Sequence, residues 1–286
     1  MKQLRNTIWV PQMWTLVAAI MVFLMLPCLP ACNSNMVQPE KEEVSIFEQP
    51  EVLTELETDA KVIREKIGEI HNNVIKNYYG EKRGKIGEKI PLEDFRNIVV
   101  ESFNKEFLAQ GLTIQITGAD IDAILSELGK FIKDTGIDFY NPETINPSEA
   151  LDKMASKGYL TKEEALQCKH ITKCLEEGVN PYEDDRGLFS ATLPSENVRL
   201  YTDIAVASIP LWTTELHELY PELEWSWPDI DWQRILEKIS LYTCDVIGGI
   251  AGGLIGLPAA VAALIGAAIG AALASLAFEV AMIIIP

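Results

Sequence analysis

Apolar residues recur at intervals of three and four positions over most of the chain after about residue 55. This period places them along one face of an α-helix and predicts amphipathic helices that pack around a shared core. The clearest example consists of Ile63, Ile67, Ile70, Val74 and Tyr78. Gly80 follows this set and is expected to end the helix, because glycine readily takes the left-handed conformation of a helix C-terminus.

Further segments repeat the helical pattern. One covers residues 92–111 and is expected to stop at Gly111, and another begins near Ala119. Residues 148–178 predict a tight antiparallel pair, in which Gly158 ends the first helix and Thr161 with Glu164 forms a capping box for the second. Strand signals are confined to short pieces such as LTIQIT, whose alternation is brief and ambiguous. The predicted fold class is therefore all-α, a helical bundle interrupted by an irregular stretch rich in proline and tryptophan.

The C-terminal part predicts a helical hairpin rich in glycine and alanine. No charged residue occurs from Val246 to Phe278, and the sequence breaks at Leu257-Pro258. Small residues follow one another at intervals of four on each side of this break, at Gly248, Gly252 and Gly256 and then at Ala262, Gly266, Gly270 and Ala274. Such runs let two helix backbones approach closely. The segment resembles the glycine-zipper hairpins of outer-membrane lipoproteins, although its second arm has alanine where those proteins often have glycine.

Two locations for this hairpin stay open. The arm from Ala259 to Phe278 would be about 30 Å long as a helix, enough to cross a bilayer core, whereas Val246 to Leu257 would reach only about 18 Å. Glu279 then interrupts the apolar run, and a carboxylate within the bilayer is costly. The hairpin is either a second membrane anchor or a buried helical pair within the body.

The N-terminus has the layout of an export signal. Lys2 and Arg5 precede an apolar run from Trp14 to Leu29. The residues Leu29-Pro30-Ala31-Cys32 resemble the lipobox of bacterial lipoproteins, with proline as an unusual middle residue. The resemblance implies cleavage before Cys32 and a diacylglycerol anchor on this cysteine, and it places the protein in the bacterial envelope, at the outer membrane. The alternative is an uncleaved N-terminal membrane helix.

Charge and composition complete the predicted organisation. The chain of 286 residues carries a formal charge of −18, and removal of Lys2 and Arg5 with the signal would leave 22 basic and 42 acidic residues, a charge of −20. A protein this acidic does not attract nucleic acid or anionic lipid through bulk charge. The expected domains are a signal peptide (1–31), an acidic tether (32–58), a helical body (59–245) and the apolar hairpin (246–286).

Cysteine and histidine supply the first chemical candidates. Cys168, His170 and Cys174 lie in one predicted helix, and Cys244 lies further along the chain. Because Cys168 and Cys174 would have Cα atoms roughly 9 Å apart in an intact helix, they cannot form a disulfide with each other. The alternatives are three buried thiols, a disulfide of one of them with Cys244, or a metal site that includes His170.

Tryptophans supply the second candidate. Trp212, Trp225, Trp227 and Trp232 occur within 21 residues, among several carboxylates. Indole faces beside carboxylates are typical of sugar-binding surfaces, so glycan binding is one hypothesis and packing against the helices is the other.

No catalytic residue, metal or cofactor is assigned. His71 lies on the flank of an apolar helix face, with no nucleophile or carboxylate near it in sequence, and a structural role is expected. His217-Glu218 begins like a zinc-protease helix but continues to Pro221 where the second histidine would be required. Whether the protein is an enzyme stays uncertain, and the pattern leans against it.

Three short motifs give a broader resemblance. They are IGEIHNNVI at residues 67–75, DIAVAS at 203–208 with Leu211-Trp212 after it, and DVIGGIAGG at 245–253. Their order and spacing resemble an uncharacterised group of exported lipoproteins from anaerobic Gram-negative bacteria, which implies no activity. The expected function is a lipid-anchored envelope protein with a structural or interaction role, through self-association or an envelope partner. Glycan binding, or insertion of residues 246–286 into a membrane as a pore or toxin, are the alternatives.

Overall fold

The computed structural model describes residues 45–46, 57–82, 89–183, 194–221, 240–253 and 260–279. Most of these residues are helical, and no β-strand lies among them. They belong to one compact unit, Glu43–Pro286, whereas the other unit, Met1–Glu42, lies outside the described residues. The main helices are α1 (Glu57–Lys82), α2 (Leu92–Ala109), α3 (Gly118–Thr135), α4 (Pro147–Lys157), α5 (Lys162–Glu176), α6 (Glu196–Pro210), α7 (Ser240–Gly253) and α8 (Ala260–Leu276). The predicted all-α class is confirmed.

Helix α1 contains the first predicted apolar set, and all five of its members are buried. The expectation that Gly80 ends this helix is wrong, since α1 continues to Lys82. A Cβ atom at Gly80 would lie 2.9 Å from the Tyr220 hydroxyl, which donates a hydrogen bond to the Lys76 carbonyl oxygen at 2.8 Å. Gly80 therefore makes room for a tyrosine that packs across the helix.

Helix α2 begins and ends close to its predicted limits, and α3 begins close to its predicted start. Gly111 has the left-handed φ of 74° that ends α2. The LTIQIT segment between them is extended and has no partner strand in the part of the chain that the structure describes. Its buried side chains are Leu112, Ile114 and Ile116. Asn104 takes the place of a neighbouring strand. Its side chain accepts from the Ile116 amide at 2.8 Å and donates to the Ile116 carbonyl at 2.9 Å.

Helices α4 and α5 form the predicted pair. Gly158 adopts the left-handed conformation at the end of α4, with φ of 82°. Thr161 and Glu164 then make both bonds of the capping box at the start of α5. These two end signals are local in sequence, which is why the pattern predicts this turn correctly.

Helix α6 begins at its N-cap, Ser195, and runs into Pro210. Because proline has no amide hydrogen, the regular bonding pattern cannot continue through it. The chain then takes a π-helical course over Leu211–Glu215, followed by a short helix, Leu216–Leu219. This change of winding carries Trp212 into the core, where 2% of its surface is exposed.

Helices α7 and α8 lie against each other in the middle of the helical body. Helix α7 also packs on α6 and α3, and α8 packs on α1 and α3. The described part of the apolar hairpin is buried along nearly its whole length. The predicted boundary between the body and the hairpin, at residue 246, falls within α7. Gly256 and Leu257-Pro258 lie outside the described residues.

Among the residues with described positions, no helix combines the length and the apolar character required to cross a membrane.

Candidate functional site

A charged pair lies in the core where α1, α6 and α7 meet. His71 of α1 and Asp245 of α7 are both completely buried, and His71 Nε2 lies 3.5 Å from Asp245 Oδ1. The other ring nitrogen, Nδ1, is 3.0 Å from Asn72 Oδ1. Both nitrogens of the imidazole therefore face an oxygen atom.

The hydrogen bonds around Asn72 assign the protons on His71. Asn72 Nδ2 donates to the Ala207 carbonyl oxygen of α6 at 2.8 Å, and a carbonyl can only accept. Asn72 Oδ1 is therefore the acceptor for His71, so Nδ1 carries a proton. Since Nε2 faces a carboxylate, a second proton is held between His71 and Asp245. Burial alone lowers the pKa of His71, but the attraction and hydrogen bonding of Asp245, with help from Asn72, raise it above the usual value of 6.5.

Trp212 binds the second oxygen of the Asp245 carboxylate. Its indole Nε1 donates to Asp245 Oδ2 at 2.9 Å, and its ring meets Tyr79 edge to face, with 6.3 Å between the centroids. A side chain buried in this way has no face for a sugar, so the structure places Trp212 in the core and not on a glycan-binding surface. Trp225, Trp227 and Trp232 lie outside the described residues.

The helices can approach at this point because of Gly68. A Cβ atom at this position would lie 2.6 Å from Ala207 Cβ and 2.7 Å from the Asp203 carbonyl oxygen. Any larger residue would push α1 away from α6 and lengthen the bond from Asn72 to Ala207. The IGEIHNNVI, DIAVAS and DVIGGIAGG motifs, far apart in sequence, thus supply neighbouring atoms of one buried site.

The glycine-rich crossing of α7 and α8 continues from this site. A Cβ atom at Gly248 would overlap the Gly270 carbonyl and the Ala274 methyl group, and one at Gly266 would lie 2.5 Å from the Gly252 carbonyl oxygen. The predicted small residues within the described helices therefore lie at the helix contact, and Ala262 is buried as well. The two backbones are in direct contact. Asp245 lies one helical turn before Gly248, next to the start of this contact.

A second buried carboxylate follows α8. Glu279 is completely buried and accepts a hydrogen bond from the Tyr79 hydroxyl at 2.9 Å and a longer one from Tyr78 at 3.4 Å. Its backbone carbonyl accepts from the Ile90 amide at 3.0 Å. Burial raises the pKa of both tyrosines, so the two phenols keep the protons that they donate.

The arrangement is not that of a serine hydrolase. Ser208 of α6 is completely buried, and its Oγ has no hydrogen-bond partner among the described residues. A serine nucleophile requires an imidazole nitrogen that is free to accept its proton. In His71 one nitrogen donates to Asn72 and the other faces Asp245, so the ring cannot act as that base.

The three cysteines of the helical body, Cys168, Cys174 and Cys244, are buried thiols and not disulfides. Burial raises the pKa of Cys168, which makes it a weak nucleophile at neutral pH. His170 is partly buried on the same helix as Cys168, and no group of three potential metal-binding side chains gathers within the described ranges. The lipidation candidate, Cys32, and the side chain of His217 lie outside those ranges.

Sequence reasoning missed the two acids of the site. Asp245 and Glu279 border the uncharged segment on either side. From the sequence, Glu279 is considered only as an obstacle to membrane insertion, and Asp245 is given no role. The available signal was the helical spacing, since Asp245 shares the face of Gly248, Gly249 and Gly252.

Comparison with protein-family models, curated proteins and solved structures gives no match. Arguments about function therefore depend on the sequence and on the geometry described above.

Proposed function

We propose that this protein is a lipid-anchored protein of the bacterial envelope whose helical body has a structural or interaction role. The anchor is Cys32, which follows the export signal and is the last residue of the motif that resembles a lipobox. The acidic segment that follows, residues 32–58, tethers the body to the lipid.

The observation that carries the structural role is the complete burial of the charged groups in the core. His71, Asp245 and Glu279 each have 0% of their surface exposed, and each is held by neighbouring helices. A catalytic acid or base must reach its substrate. Groups sealed in this way instead connect helices, which supports a role as a scaffold.

The position of the hairpin supports lipid as the means of attachment. The apolar residues of α7 and α8 are turned toward α1, α3 and α6, where they are covered by protein. Transfer of this pair into a bilayer would remove the centre of the helical core. A diacylglycerol chain at Cys32 requires no such change in the body.

Intact-mass analysis and detergent partitioning test the anchor. The native protein should begin at Cys32 with the added mass of the lipid and enter the detergent phase, whereas Cys32→Ser should abolish lipid addition and cleavage at this site. Cys28→Ser is the matched control, because this nearby cysteine follows Pro27 and should leave lipidation unchanged. An unmodified native chain that begins at Met1 would contradict the proposal.

A further inference from the structure

The buried pair has one property that a rigid core does not require, namely a charge balance that depends on a single proton. Burying an ion pair is costly, and removing the charge of one partner leaves the other without compensation. In this site both partners are completely buried, and the distance from His71 Nε2 to Asp245 Oδ1 is 3.5 Å, longer than a strong charged hydrogen bond. Neither of these two atoms has a closer hydrogen-bond partner among the described residues.

We propose that the His71–Asp245 pair is a pH-sensitive latch, which holds α7 against α1 and α6 at neutral pH and loosens this contact on the alkaline side. The latch is a property of the folded body and does not depend on the lipid anchor.

The other titratable groups near the pair are expected to keep their charge near neutral pH. The proton between His71 and Asp245 is therefore the one whose loss changes the charge of the site. On the side of α6, Trp212 in the π-helical segment after this helix donates to Asp245 Oδ2, and its indole does not titrate near neutral pH. On α1 the next phenol is Tyr79, which burial and the charge of Asp245 keep protonated, and on α7 the neighbour is the buried thiol of Cys244.

Charged groups on the other packed elements have partners of their own. Glu279, after α8, is bound by the two phenols of α1. Glu106 of α2 accepts from the side chains of Asn73 and Gln110, and Asp120 of α3 accepts from Ser45 and from the start of its own helix. Lys76, further along α1, pairs with Glu215 at 2.5 Å near the surface.

The direction of the pH effect follows from linkage. The pKa of His71 is higher in the folded protein than in an open state, where the ring meets water. The latch is therefore fully closed below about pH 6.5, the pKa of an ordinary histidine. Between that value and the folded pKa, opening releases one proton, so the opening equilibrium should rise about tenfold for each pH unit.

The histidine NMR spectrum of the full chain in detergent gives the first test. The protein contains three histidines, so the ring signals can be assigned by replacing His170 and His217 in turn with glutamine. We expect the His71 signal to keep the shift of an imidazolium at pH values above 6.5, the pKa of an ordinary histidine. A His71 signal that titrates at or below the ordinary value would overturn the proposal.

Hydrogen exchange of the α7 amides gives the second test. After correction for the intrinsic effect of pH, exchange in peptides from residues 240–253 should accelerate severalfold or more from pH 6.5 to 8.5 in the wild type. His71→Gln should make this corrected exchange insensitive to pH, whereas His170→Gln, the matched control, should preserve the wild-type acceleration. No acceleration in the wild type, or equal acceleration in His71→Gln, would refute the latch. If His71→Gln does not fold, the wild-type NMR titration decides the matter alone.

Discussion

The Cα of Gly252 in α7 and the carbonyl of Gly266 in α8 are in such close contact that a Cβ atom at Gly252 would overlap the carbonyl oxygen. The same Cβ would lie 3.0 Å from the Cα of Gly270. Both obstacles are backbone atoms, which cannot turn away as a flexible side chain can. The separation of α7 and α8 is therefore set by the absence of side chains at these positions.

Replacing Gly252 with alanine should destabilise the protein by about 3 kcal/mol or more, because the helices must move apart and every contact along α7 weakens. Chemical denaturation followed by circular dichroism measures this loss. Gly253→Ala is the matched control, since its Cβ would meet its nearest neighbour at 3.4 Å, an ordinary contact distance. The control should stay within about 1 kcal/mol of the wild type, and helix propensity favours alanine. Equal stability of the two variants would show that the helix crossing does not depend on Gly252.

The amino-acid pattern predicted the helical class because each amphipathic helix repeats a local signal many times. Gly111, Gly158 and the Thr161–Glu164 capping box also work within a few residues of one another, so they marked the ends of α2 and α4 and the start of α5 correctly. Gly80 failed as a helix end because its neighbour is Tyr220, which lies 140 positions away in the chain. A glycine needed for tertiary packing has the same local appearance as a glycine that ends a helix.

The location of the hairpin required information that the pattern does not contain. Apolar helices of alanine and glycine are equally suited to lipid and to the centre of a bundle, and the partners that decide between the two are α1, α3 and α6. The charged pair was missed for a similar reason. His71 was expected to be structural, which agrees with its burial, but its carboxylate partner comes from a helix that begins about 170 positions later.

The two tyrosines that hold Glu279 should differ in their contribution to stability. Tyr79 donates to the carboxylate at 2.9 Å, whereas the contact of Tyr78 is 3.4 Å long. A hydrogen bond to a buried charged group contributes about 1.5–3 kcal/mol, and a long one contributes less. Tyr79→Phe should therefore lower the free energy of unfolding by about 2 kcal/mol, and Tyr78→Phe by about 1 kcal/mol or less.

Both tyrosine variants keep their aromatic rings, so each is a control for the packing of the other. The comparison uses denaturant titrations at one pH, with the two unfolding slopes checked for equality. A larger loss for Tyr78→Phe would mean that the shorter bond to Glu279 is not the stronger one. Loss in neither variant would mean that Glu279 is protonated or satisfied by other groups.

The stability of the protein at acidic pH should depend on Glu164. Burial is the largest single influence on this carboxyl and raises its pKa, but the hydrogen bonds from Ser195, from the Thr161 amide and hydroxyl, and from Asn197 together outweigh it. The pKa of Glu164 therefore lies below the usual 4.5. A carboxyl with a lowered pKa contributes stability above its unfolded pKa, and this contribution is lost as pH falls through its folded pKa. Wild-type protein should therefore lose stability below about pH 4.5, in part because α5 loses its cap and the hydrogen bond from Ser195 to Glu164.

In thermal melts from pH 6 to pH 3, the Glu164→Gln variant should start from a lower melting temperature than the wild type, and its melting temperature should fall less steeply. The adjacent and exposed Glu163, changed to glutamine, should reproduce the wild-type slope. Parallel curves for wild type and Glu164→Gln would exclude this carboxyl as a source of acid sensitivity.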